Sequence, residues 1–185
     1  MCDEVVYILA DVAYAQTYTH IRRLCRYRVG LTRAITTNNP MPLHPHPHRI
    51  TPNHIIALKP HEVFVFGSNE AGRHSRGAAL TARQWGARKS VPAGRAGQTY
   101  AIPTKPADVR VSLCLRDISK YVDDFIAHAQ LNPHNHFLVT EIGCGLAGYA
   151  PHDIAPLFAA CAQLDNVSLP ERFWSVLRVR GAKDA

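Results

Sequence analysis

The chain has no C-x-x-C pair, no G-K-[ST] triplet and no apolar run long enough to cross a bilayer. Its five cysteines (Cys2, Cys25, Cys114, Cys144 and Cys161) are odd in number and scattered, which argues against a disulfide framework and a zinc ribbon alike. The missing G-K-[ST] excludes a P-loop. Val5 to Ala15 is apolar but carries Asp11 and is too short for a span. Acidic Asp3 and Glu4 stand where a signal peptide would carry positive charge. A soluble, cytoplasmic protein without a membrane partner is therefore expected. Acid is scarce as well: 14 Asp and Glu face 21 Lys and Arg, for a net charge of +7, which favours anionic partners.

What is present divides near residue 50. Residues 1–50 join an apolar stretch, with a short helix expected over about Val5–Arg28, to the cluster Arg22, Arg23, Arg26, Arg28 and Arg33. Then comes a segment in which His44, His46 and His48 alternate with proline. Alternating proline favours extended, solvated backbone, so this reads as an N-terminal extension and Pro/His-rich linker rather than a metal site. The Arg22–Arg33 cluster offers a route to nucleic acid, although Tyr27 is its one interleaved aromatic.

From residue 51 to about 180 the pattern is that of one α/β domain. Glu62–Gly67 reads as a buried strand, Gly77–Trp85 as a helix, and Thr99–Pro103 as a strand ended by its proline. Ile118, Tyr121, Val122, Phe125, Ile126 and Ala129 fall on one helical stripe, with Lys120, Asp123 and Asp124 off it. His136–Glu141 is the next strand. Asp153 suits the N-cap of a helix carrying Pro156 in its first turn and Ile154, Leu157, Phe158 and Cys161 on its buried face. Val167–Leu169 reads as a short last strand, with Phe173–Leu177 packing at the edge. Strands alternating with helices predict an α/β layered domain.

Two glycine-rich turns carry the chemistry. After Val63–Phe66 come Gly67, Ser68 and Asn69, leading through Arg73-His74-Ser75-Arg76 to Gly77 and Ala78. After Phe137–Ile142 come Gly143, Cys144, Gly145, Leu146, Ala147, Gly148 and Tyr149. Each lies where a strand gives way to a helix, so backbone N–H groups can approach an anion without interference from Cβ atoms. Two such loops at equivalent ends of two strands point to a ligand crevice. Asn69 is positioned either to orient a sugar hydroxyl or water, or only to close its own turn. His74 and Arg76 are candidate phosphate contacts, with plain solvated loop residues as the other reading. Loop N–H groups around Cys144 could lower its pKa, but with no assignable partner histidine a small loop filler is the favoured reading.

Gly143–Gly148 also matches G-x-G-x-x-G, with Asp165 at a suitable distance downstream, which keeps an NAD(P)-dependent oxidoreductase in view. Against it, Tyr149-Ala150-Pro151-His152 intervene before the expected helix, and little chain follows Gly148 for a doubly wound domain. A nucleic-acid-binding or phage-structural protein with architectural glycine loops is the other alternative.

The domain resembles the macrodomain family, particularly the macrodomain-like proteins of bacteria and phages. The resemblance rests on a hydrophobic strand followed by Asn69, on Gly77-Ala78-Ala79 with Ala82, and on Gly145-Leu146-Ala147-Gly148 after Ile142-Gly143. It implies a three-layer macrodomain-like α/β fold, with a mixed central sheet flanked by helices, and binding of ADP-ribose or a related NAD-derived nucleotide. On it the second loop would wrap the diphosphate, and Asn69 would be the catalytic position of an ADP-ribosyl hydrolase. It implies no cofactor and no metal. The chain departs from the family at Arg73-His74-Ser75-Arg76, where consecutive glycines are usual. It departs again at His54-Ile55-Ile56, where the adenine-reading aspartate has no counterpart.

Overall fold

The computed structural model describes residues 49–181. The expected helix over residues 5–28, the Arg22–Arg33 cluster and the histidines from His44 to His48 lie outside the described residues.

Strand β1 (Glu62–Asn69) sits at the centre of the sheet. Its run of alternating valine and phenylalanine is buried on both sides, as a strand covered on both faces requires. Period-two geometry sends Val63 and Val65 to one face and Phe64 and Phe66 to the other. Each pair joins a different core. Helix α1 (Gly77–Ala82), prolonged by a 3-10 turn at Arg83–Trp85, covers the phenylalanine face with Ala79 and Ala82. Trp85 packs on Phe64 at 4.9 Å between ring centroids. On the valine face lies α2 (Leu115–Leu131), which buries Ile118, Val122, Phe125 and Ala129 as its spacing predicts.

Strands β2 (Gly94–Ala96), β3 (Thr99–Lys105), β4 (His136–Val139) and β5 (Val167–Ser168) complete a five-stranded sheet of order β2-β3-β1-β4-β5. Only the β2–β3 pair is antiparallel. The protein is thus an α/β fold with a mixed central sheet and helices on both faces, in three layers. Among the described residues no helix is long and apolar enough to cross a membrane.

Several local expectations change. β3 runs through Pro103 instead of ending there. β2 pairs with β3 only as far as Ala101, so a proline beyond that point removes no ladder bond on that edge. The short β2 itself was not expected. β4 stops at Val139, and Thr140 and Glu141 already belong to the loop. Helix α3 (Pro151–Ile154) starts at Pro151, with Asp153 in its third position. The Asp153 carboxylate accepts the Ala150 N–H at 3.0 Å, so it closes the helix start from inside rather than as the N-cap. A 3-10 segment, Ala155–Gln163, continues this element. Phe173–Leu177 belongs to helix α4 (Glu171–Gly181), and Phe173, Trp174 and Leu177 lie in the core rather than at an edge.

The described fold engages residues just before position 51. Ile50 bridges Leu169. The Arg49 side chain, 6% exposed, donates to the carbonyls of Ala162, Cys161 and Leu164 at 3.1, 2.9 and 3.0 Å. Its own carbonyl accepts the Trp174 indole N–H at 2.9 Å, and its guanidinium lies 5.1 Å from the Trp174 ring centroid.

Candidate functional site

The connections leaving β1 and β4 run in opposite directions across the sheet, β1 towards β3 and β4 towards β5. Open α/β sheets leave a crevice at the carboxyl ends of such neighbouring strands. Thr140 ties the two ends together, its N–H and hydroxyl both donating to the Val65 carbonyl at 3.0 and 2.9 Å. Into the crevice open the two glycine-rich loops.

The first loop alternates anchors with exposed residues. Gly72, at φ +61°, presses on Ser90 and Val91, where a Cβ would stand 2.8 Å from the Val91 nitrogen. His74 is 2% exposed, meets the Phe66 ring edge-on at 5.2 Å, and bonds the Val91 carbonyl at 3.2 Å through Nε2. Its place is therefore inside the fold, and the expectation that it contacts phosphate is corrected. Arg73, Ser75 and Arg76 alternate with these anchors and face outward.

Asn69 sets the shape of that loop. Its Oδ1 accepts the Arg73 N–H at 3.0 Å and its Nδ2 donates to the Arg73 carbonyl at 2.9 Å. The carboxamide thus closes its own turn, while the residue still borders the cleft. Asn69→Ala is expected to cost about 1 kcal/mol of stability, as a lost turn hydrogen bond does. If the loop shape serves a ligand, affinity should also fall about tenfold, or roughly 1.4 kcal/mol. A paired melt and ADP-ribose titration reads both, and lost stability with unchanged binding would leave Asn69 a turn residue only.

The second loop is fixed at both ends and open in the middle. Gly143, at φ +78°, lies against Ile154, and its carbonyl accepts the Tyr149 N–H at 3.0 Å. The Ala147 carbonyl accepts the Ser112 hydroxyl at 2.6 Å, and the Tyr149 hydroxyl donates to the Leu113 carbonyl. Between these ties the N–H groups of Gly145, Leu146 and Ala147 find no hydrogen-bond partner among the described residues. A Cβ built on Gly145 would meet no heavy atom within 4 Å. Cys144 follows the loop-filler reading rather than the activated one: burial, reinforced by Glu141, pushes its thiol up to about 11, so it is protonated at neutral pH. Loop N–H groups do not offset that loss of hydration.

Together the loops enclose a cleft of about 600 Å³. Of the residues singled out in the sequence, Gly67, Ser68, Asn69, Gly77, Ala78, Gly143, Gly145, Leu146 and Ala147 line it. Cys144, Gly148 and Tyr149 shape the second loop without lining the cleft. Arg73, Ser75, Arg76, Thr104, Lys105, Val109 and Glu141 line it as well. Thr104 and Lys105 arrive because β3 runs parallel to β1, with Lys105 opposite Asn69. A second cleft of about 500 Å³ shares Ala78 and Glu141 with the first and is walled by Pro52, Ile55, Ile56, Phe64 and Pro170 among others.

Charge in the first cleft is one-sided. Neither Arg73 nor Arg76 has a carboxylate partner among the described residues, and the Lys105 ammonium meets only the Val109 carbonyl at 3.3 Å. Its one acid, Glu141, is paired with Arg172 at 2.8 Å. No protein-family profile, curated protein or solved structure matches the chain. No group of three or more metal-ligating side chains occurs among the described residues.

Proposed function

We propose that the protein binds ADP-ribose or a closely related NAD-derived nucleotide across these two clefts. The observation that carries the reading is the junction of unpartnered N–H groups at Gly145–Ala147 with the unpaired cations Arg73, Arg76 and Lys105 around one space. Backbone donors that lack an internal partner and cations that lack a carboxylate suit a diphosphate. The second cleft, reached past Ala78 and Glu141, offers apolar Pro52, Ile55, Ile56, Phe64 and Pro170 beside polar Asn53 and Thr81, a mixed lining that suits the base.

Binding is the core of the proposal, and hydrolysis of an ADP-ribosyl bond is a further step. The residues bordering the first cleft contain no histidine, Glu141 is held by Arg172, and Cys144 is protonated. Cleavage here would rest on a water held between the ligand and the Asn69 loop, which bonds to the anomeric carbon as the ADP-ribosyl bond breaks and its electron pair leaves with the departing group. The oxidoreductase reading is weaker: helix α3 begins at Pro151, beyond Gly148, so its N-terminus does not open within the glycine motif. Calorimetric titration of the full chain with ADP-ribose is the test, and one-to-one binding is the expected result.

A further inference from the structure

Between Glu70 and Asp108 the chain carries seven Lys and Arg residues and no acid at all. Elsewhere several described cations meet carboxylates: Lys59 pairs with Glu62, Arg110 with Asp108, Lys120 with Asp117, and Arg172 with Glu141. Within the acid-free segment no such pair forms among the described residues. Six of its cations are exposed, and four of these, Arg73, Arg76, Arg88 and Lys89, lie on the first loop and the turn beside it. The fold brings them together. The Ser90 N–H donates to the Gly72 carbonyl at 3.3 Å and the Val91 carbonyl bonds His74, which seats the Arg88–Lys89 turn beside the first loop. Arg73 and Arg76 then continue the charge to the cleft wall.

We propose that this surface is a landing strip for single-stranded nucleic acid whose terminal nucleotide enters the cleft. Repeating phosphates match cations arranged outside and at the mouth of one site, and guanidinium groups suit phosphate geometry. An acidic peptide would satisfy the outer cations but brings no phosphate to the unpartnered N–H groups inside. A cleft of about 600 Å³ between two loops has the size of a small-molecule site, which fits one strand end rather than a duplex. The inference goes beyond nucleotide binding and rests on that reading only for where the strand ends.

Arg88 and Lys89 do not line the cleft, so Arg88→Gln/Lys89→Gln tests the strip alone. Fluorescence anisotropy of the full chain with a labelled 12-nucleotide single-stranded DNA, across a salt series, is the measurement. The double variant is expected to bind about tenfold more weakly at low salt, with a salt slope smaller by about 1.4, or about 0.7 per lost phosphate contact. ADP-ribose affinity should be unchanged. The Arg22–Arg33 cluster is present in both proteins, so the difference between them reports the strip. Unchanged oligonucleotide affinity and slope would overturn the proposal, as would a wild type that ignores the oligonucleotide or binds poly-glutamate equally well. Loss of oligonucleotide binding in the variant, with a wild type that ignores ADP-ribose, would retain the strip and remove the nucleotide reading.

Discussion

Gly145→Val is expected to fold as the parent does and to lose at least about tenfold in ADP-ribose affinity, roughly 1.4 kcal/mol. Gly145 is not among the glycines with positive φ, and its Cβ position is open for 4 Å around. Valine therefore meets no clash within the protein. It instead places a branched side chain among the unpartnered N–H groups of the second loop, where the proposed diphosphate would touch backbone. Gly143→Val is the contrasting case. That residue sits at φ +78°, with Ile154 Cδ1 2.9 Å from a built Cβ. A β-branched side chain there adds left-handed strain to overpacking, together about 2–3 kcal/mol of stability. Thermal melts and titrations on the two variants separate the glycine that shapes the loop from the glycine that admits a ligand. A folded Gly145→Val with parental affinity would take the second loop out of the site.

Arg49→Ala should have the largest effect on stability among simple side-chain truncations outside the apolar core. One buried guanidinium satisfies three carbonyls at the end of the Ala155–Gln163 segment and also lies over Trp174. Removing it strands those acceptors. Hydrogen bonds from a charged donor contribute about 1.5–3 kcal/mol each when partners are left unpaired, and water will recover part of that. A loss of about 3 kcal/mol is expected, lowering the melting temperature by about 10 °C. Burial lowers the guanidinium pKa and the charge of Asp165 opposes this, yet an arginine so placed stays protonated at neutral pH. Asp165 is fully exposed and 4.0 Å away, so Asp165→Ala should leave the melt unchanged. Equal, small effects of both substitutions would show that Arg49 does not hold the fold together.

The central strand and the main helix were legible because each obeys a simple period. Val63–Phe66 is apolar at every position, and Ile118–Ala129 follows helical spacing. The glycine loops were legible because small residues interrupt those patterns at strand ends. Long-range placement was hidden. Nothing near Arg49 in the sequence marks it as buried, since its partners lie more than a hundred residues away. His74 looked like a solvated loop residue, and only the packing of Val91 and Phe66 around it shows otherwise. Lys105 was readable in principle: a strand parallel to β1 brings its own carboxyl end to the same crevice, but the order of strands had to be known first. Pro103 misled because the strand rule concerns lost ladder bonds, and here β2 stops short of it. Helix α4 was missed because its first turn is prepared by the Pro170 carbonyl, which accepts from Phe173 and Trp174, not by a capping side chain.

The most direct test of the nucleotide site is calorimetric titration of the full chain with ADP-ribose beside adenosine. If the unpartnered N–H groups of Gly145–Ala147 and the cations Arg73, Arg76 and Lys105 form a diphosphate site, ADP-ribose will bind one to one. Adenosine, without phosphate, will then bind at least about a hundredfold more weakly, a difference of roughly 2.8 kcal/mol. Equal affinity for the two ligands, or no binding of ADP-ribose, would contradict the account.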